Sequence, residues 1–168
     1  MKVAVLILTL SIVLAVFAHM YMSEVPKCPK CGSTLVWTPL GTKSENFLWK
    51  CLMDGTTWRK TYPDHVFSNW KRRIPQIVRD ASMNYLLKLH PDVKPFFPSG
   101  DWEQEKDGNQ YVFGQNGWTV KITFTADFSK ADVRVDYVHQ GLGIMHRVVW
   151  IAEFNNGDFR EISYTHAV

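Results

Sequence analysis

Three hydrophobic patterns follow one another along the chain. From Val3 to Ser23 there is no Asp, Glu, Lys or Arg, and the run VAVLILTLSIVLAVFAHMYMS shows no polar face. At about 1.5 Å rise per residue it reaches roughly the 30 Å of a bilayer core, so it predicts a transmembrane helix with His19, Tyr21 and Met22 at the interface. Further on, Ile77, Val78, Ala81, Tyr85, Leu86 and Leu89 recur at helical spacing. They predict one amphipathic helix over 75–90, opened by Pro75 and closed at His90 before Pro91. From Gly100 the period falls to two: Trp118, Val120, Ile122 and Phe124 alternate with Thr119, Lys121, Thr123 and Thr125. Turn signals at Asp107-Gly108-Asn109, Asn116-Gly117, Gln140-Gly141-Leu142-Gly143 and Asn156-Gly157 divide this region into strands near 102–106, 110–115, 118–127, 132–139, 144–155 and 158–165. Short hairpin turns force antiparallel neighbours, so the expected object is a meander with the helix across its apolar face. Lys121, Thr123, Arg134, Asp136, Arg147 and Glu153 should lie on the opposite face.

Between the first run and the helix lies Cys28-Pro29-Lys30-Cys31-Gly32, answered by Cys51-Leu52-Met53-Asp54-Gly55. Two thiolates two residues apart grip one face of a tetrahedral ion, and a second such turn, brought up by a β-hairpin, closes the other. Asp54 stands where a four-cysteine site would have its last thiolate. The site is Cys28, Cys31, Cys51 and Asp54 around one zinc ion, a three-thiolate site completed by another group such as His65, or a relic without metal. Strands are expected at Thr34–Thr38, Asn46–Lys50 and Thr56–Thr61, carrying Trp37, Trp49 and Trp58 into a small core. So short a module buries too little surface to fold without a metal or a neighbour. The odd cysteine count disfavours a purely disulfide framework, although a redox pair of Cys28 and Cys31 is an alternative.

Residues 27–60 resemble the zinc-ribbon superfamily through the Cys-Pro-x-Cys-Gly turn and the partial Cys-x-x-Asp-Gly turn. The resemblance implies a structural zinc with Cys28, Cys31 and Cys51 as ligands, and Asp54 by position. Residues 74–166 look loosely like the cystatin arrangement of one helix wrapped by an antiparallel sheet. The Gln-x-Val-x-Gly hairpin of those inhibitors is absent, so protease inhibition is not implied.

The chain thus reads as α+β: an N-terminal transmembrane helix, a small β zinc ribbon, then one helix packed on an antiparallel β-sheet. The divisions are 1–23, a membrane anchor or signal peptide; 24–62, the ribbon-like module; 63–99, a basic linker and the helix; and 100–168, the sheet. A retained anchor would leave a single-pass protein with its bulk outside the cytoplasm. Cleavage after Val16-Phe17-Ala18 would release it as a secreted protein.

Composition is ordinary for a folded chain, with 46% hydrophobic residues and a formal charge of +3. Charge is uneven: the stretch from Arg59 to His90 is basic, and the chain from Asp92 on is acidic. The basic run suits either an anionic partner or a solvated helix face. The alternation Asp101, Glu103, Glu105 and Asp107 suits a soluble edge strand better than a cation site. His139 and His146 flank one hairpin turn and are placed to approach each other. No nucleophile elbow, phosphate loop, His-Glu-x-x-His or dinucleotide-binding glycine pattern occurs, so no enzyme is expected. The expected role is a membrane-anchored, non-catalytic binding or scaffolding protein that meets an unidentified protein partner. One alternative is a cytoplasm-facing ribbon whose Lys27, Lys30, Lys50, Arg59 and Lys60 meet nucleic-acid phosphates while Trp37 or Trp58 stacks on a base; nucleic acid is excluded if the chain is exported. The other is a thiol-disulfide protein using Cys28 and Cys31.

Overall fold

The computed structural model of the chain describes residues 2–40, 47–98, 100–141 and 144–167. Helix α1 (Lys2–Ser23) leads into a small sheet of β1 (Val36–Trp37), β2 (Leu48–Cys51) and β3 (Thr57–Arg59). Helices α2 (Asp64–Arg72) and α3 (Ile74–Leu89) follow, then a 3-10 turn at Pro91–Phe96. The chain ends in β4 (Glu103–Asp107), β5 (Gln110–Gln115), β6 (Trp118–Phe124), β7 (Lys130–Gly141), β8 (Ile144–Asn155) and β9 (Asp158–Ala167). These six strands form an antiparallel meander in sequence order. Of the expected strands, the one at Asn46–Lys50 begins outside the described residues, as does part of the Gln140–Gly143 turn.

The meander follows from its turns and its alternation. Asn116 and Gly117 have φ of 47° and 83°, and Asn156 and Gly157 have 47° and 91°. Two successive positive φ values are what a two-residue hairpin turn matching the strand twist demands, and Asn-Gly supplies them at least cost. Along β6, Trp118, Val120, Ile122 and Phe124 are buried while the intervening residues are exposed. Trp150 and Phe154 from β8 and Val133, Val135 and Tyr137 from β7 complete the inner face. Lys121, Thr123, Arg134 and Arg147 are exposed on the outer face, with Asp136 and Glu153 partly so.

Helix α3 covers that inner face as the periodicity predicts. Ile77, Val78, Ala81 and Leu86 are buried, whereas Leu89 is left exposed at the end of the helix. Tyr85 packs its ring on Phe159, 5.5 Å between centroids, and the Arg79 guanidinium lies 4.8 Å from the centre of the Phe113 ring. Helix α2 was expected only as linker. Pro63 precedes it, Asp64 opens it, Lys71 and Arg72 close it, and Val66, Asn69 and Trp70 are buried. The terminal charges complement the helix dipole, but the helix is so short that its stability comes from burying Trp70.

The small sheet is not a separate bead. Trp37 meets Phe154 of β8 edge-on, 4.7 Å between centroids, and also lies against Gly157 in the β8–β9 turn. Lys50 of β2 pairs with Asp158 at the start of β9. Trp37, Trp49 and Trp70 belong to the same continuous core as Trp118 and Trp150.

Among the described residues no helix is long and apolar enough to cross a membrane. This corrects the transmembrane helix in the expected fold class and the single-pass localisation that rested on it. The C-terminal end of the apolar run is held by the protein. The Asn69 side chain donates to the carbonyls of Tyr21 and Glu24, each at 3.0 Å. Tyr21, expected at an interface, stacks on His65 of α2 at 3.8 Å between centroids. The Val16-Phe17-Ala18 cleavage signal lies inside α1.

Candidate metal centre

Two backbone turns with the same hydrogen-bond pattern build the cysteine site. In the first, the Cys28 N–H donates to Ser33 O at 2.8 Å and the Gly32 N–H to Cys28 O at 2.9 Å. In the second, the Cys51 N–H donates to Thr56 O at 2.8 Å and the Gly55 N–H to Cys51 O at 3.0 Å. Gly32 and Gly55 take φ of 72° and 75° at equivalent positions, and a Cβ at either would touch nothing within 4 Å. Their glycines therefore answer a backbone requirement and not a steric one. Asp54 occupies the position in the second turn that Cys31 occupies in the first. Strand pairing joins the turns: Val36 lies opposite Cys51, and the Leu52 N–H donates to Leu35 O.

The result is four potential ligands around one point. Cys28, Cys31, Cys51 and Asp54 each offer an atom within 4.8 Å of all the others, an arrangement that can hold a metal ion. The Cys31 and Cys51 sulfurs are 3.6 Å apart, and Cys28 Sγ is 3.9 Å from both carboxylate oxygens of Asp54. Sulfur ligands about 2.3 Å from a tetrahedral centre would sit roughly 3.8 Å from one another. All three cysteines are free thiols; Cys28 and Cys51 are buried and Cys31 is exposed.

The electrostatics differ between members. Burial pushes the Cys51 thiol up to about 12. Burial also raises Cys28, but backbone N–H groups of Cys31 and Lys30 and the neighbouring thiols outweigh it and hold its pKa below the ordinary value. The Thr56 backbone N–H, donating to Asp54 Oδ1 at 2.9 Å, is the main reason the Asp54 carboxyl is held at about 2. Asp54 is thus a fixed anion, with Oδ1 engaged by Thr56 and both oxygens equally distant from the Cys28 sulfur. A cation entering the site would displace protons from the thiols, most strongly from Cys51.

His65, the other candidate for a fourth ligand, is not brought there; its Nε2 lies 3.2 Å from Glu24. Trp37 and Trp49 are fully buried as core, and Trp58 is partly exposed. Asp101, Glu103, Glu105 and Asp107 are exposed, and among the described residues the cysteine site is the one group of three or more metal-binding side chains this close together. His139 and His146 do face each other in register across β7 and β8. Sequence reasoning missed a polar cluster on the inner face, where Glu161 accepts from Trp150 Nε1 at 2.7 Å and lies 2.6 Å from His90 Nε2. A Glu in an alternating strand carries no signal that it points inward, because the bulge between Ile151 and Ala152 shifts the register of β9.

The chain matches no family model, and no characterised protein or solved structure is significantly similar to it. The class defined by fold and site is therefore an α+β chain of one three-stranded and one six-stranded antiparallel sheet with a candidate metal centre at the smaller sheet.

Proposed function

We propose that the chain is a non-catalytic binding or scaffolding protein in which Cys28, Cys31, Cys51 and Asp54 hold one structural zinc ion. The observation that carries this reading is the closure of the site. Four protein ligands converge from two matched turns, and structural zinc sites are closed in this way, whereas catalytic ones keep a position open. The ion would tie the turn before β1 to the end of β2 in the small sheet, which also meets β8 and β9 through Trp37 and Lys50 and Trp70 of α2 through Val36 and Trp49. It would thereby fix that sheet against the larger one, leaving the outer face of the meander for a protein partner. Nucleic-acid stacking by Trp37 is disfavoured by its complete burial.

The test is metal content of the full chain purified without added zinc, for wild type beside Cys51→Ser and Asp54→Ala. About one zinc per chain in wild type, lost in Cys51→Ser, is expected. Loss in Asp54→Ala as well would identify the carboxylate as the fourth ligand. A folded wild-type protein without metal, or metal retained by Cys51→Ser, would overturn the reading; the first result would favour thiol exchange at Cys28 and Cys31.

A further inference from the structure

We propose that the β7–β9 end of the larger sheet's inner face carries a second, histidine-based transition-metal site built on His146 and His166, with Asp92 orienting His166. This site is separate from the cysteine centre and does not depend on the zinc reading of it.

The argument begins with a proton. Asp92 Oδ2 lies 2.8 Å from His166 Nδ1 and 2.8 Å from the Tyr164 hydroxyl. An ionised carboxylate only accepts, so the proton of the His166 ring sits on Nδ1 and the Nε2 of the neutral imidazole is left as a lone pair. That Nε2 is buried and has no hydrogen-bond partner among the described residues. The Nδ1 of His146 is likewise buried and unpartnered. A buried polar atom left unsatisfied is costly, and two on neighbouring strands call for a shared explanation.

Their placement supplies one. His166 of β9 is opposite Val148 of β8, two residues along from His146, so both rings project from the same face of the sheet. The ring centroids are 6.3 Å apart. With metal–nitrogen bonds of about 2.0–2.1 Å, two imidazoles on one ion hold their centroids roughly 5–6 Å apart, close to the spacing of this pair. Phe96 lies against His146, 4.9 Å between centroids, and nearer the edge of His166 at 6.4 Å, forming an apolar wall. A carboxylate on the far nitrogen of a ligating histidine fixes its tautomer and strengthens it as a ligand, which is the role Asp92 fills. His139 is exposed and directly opposite His146 at the same end of the sheet, and water would fill the positions that the two buried histidines leave. An all-imidazole site selects zinc, copper or nickel over magnesium or calcium.

The full-length chain, stripped of metal under reducing conditions, is titrated with Co2+ alone and followed by absorption and by bound metal per chain. Two ions are expected, one giving the intense thiolate charge-transfer bands of the cysteine centre and one without them. His166→Ala and the volume-conserving His146→Gln should each lose only the second ion, with the thiolate bands unchanged. Asp92→Asn should weaken that ion by about 10- to 100-fold. If the cysteine centre binds nothing, one Co2+ without thiolate bands, lost in both histidine variants, still supports the site. Binding confined to the thiolate centre, or two ions retained in the folded His146→Gln protein, would overturn it.

Discussion

The indole Nε1–H of Trp70 donates to the carbonyl of Val36 at 2.8 Å, joining α2 to the first strand of the small sheet inside the core. Trp70 and Val36 are both fully buried, so this bond holds the sheet and helix in one orientation without competition from water. Trp70→Phe keeps much of the ring packing but leaves the Val36 carbonyl unsatisfied. It is expected to cost about 1–3 kcal/mol, measured by urea unfolding. Because the small sheet shares the core of the large one, the transition should remain single; a separate early transition of the small sheet would contradict a shared core.

Gly157 combines two demands. Its φ is +91°, and a Cβ there would come within 3.0 Å of Cδ1 of the buried Trp37. Gly157→Ala should therefore destabilise by about 1–3 kcal/mol through backbone strain and the displaced indole. Gly108 also has a positive φ, of 56°, but open space around it. Gly108→Ala should be the milder variant, and equal losses in thermal melts of the two would remove the Trp37 contact from the explanation.

Replacing Asp54 tests the donor set from the opposite direction. Asp54→Cys puts a softer ligand in a turn that already matches the first one, hydrogen bond for hydrogen bond. Zinc should be held more tightly, by on the order of tenfold or more, in competition with a chelator. Unchanged or weaker retention would mean that Asp54 does not face the ion.

Glu161 gives the larger sheet an acid-sensitive contact. Burial raises its carboxyl, but the bonds from His90 and Trp150 outweigh this and hold it below the ordinary 4.5. With the folded value depressed, the unfolded chain binds more protons as acid is added. The contribution is therefore present above about pH 4.5 and lost as pH falls through the folded value. Glu161→Gln at neutral pH should lower the melting temperature by about 2–4 °C for each kcal/mol lost. Between about pH 5 and pH 3 its stability should fall less than that of wild type; parallel profiles would show that Glu161 does not contribute.

Much of the large sheet was legible because its signals are local. The Asn-Gly pairs fixed where β5 turns into β6 and β8 into β9, and period-two alternation told which residues of β6 face inward. The α3 boundaries followed from Pro75 and Pro91. The cysteine site was legible for the same reason, since each half is one turn with its own glycine. Helix α2 was missed although Val66, Asn69 and Trp70 stand at helical spacing, because nine residues are too few to be helical by themselves and depend on what Trp70 and Asn69 touch. The apolar N-terminal run misled because composition reports hydrophobicity and not attachment: Tyr21 and Glu24 are held by Asn69 and His65, residues far away in sequence.

By itself, the sequence determined the turns, the strand alternation and the ligand types, all properties of a few adjacent residues governed by backbone sterics and side-chain chemistry. The tertiary structure decided that Asp54 stands among the three thiols, that the small sheet shares a core with the large one through Trp37, and that Glu161 and His166 point inward. Each of these depends on strand register, on a bulge or on the docking of elements far apart in the chain, and is settled when apolar surfaces close over one another and most buried polar groups find a partner.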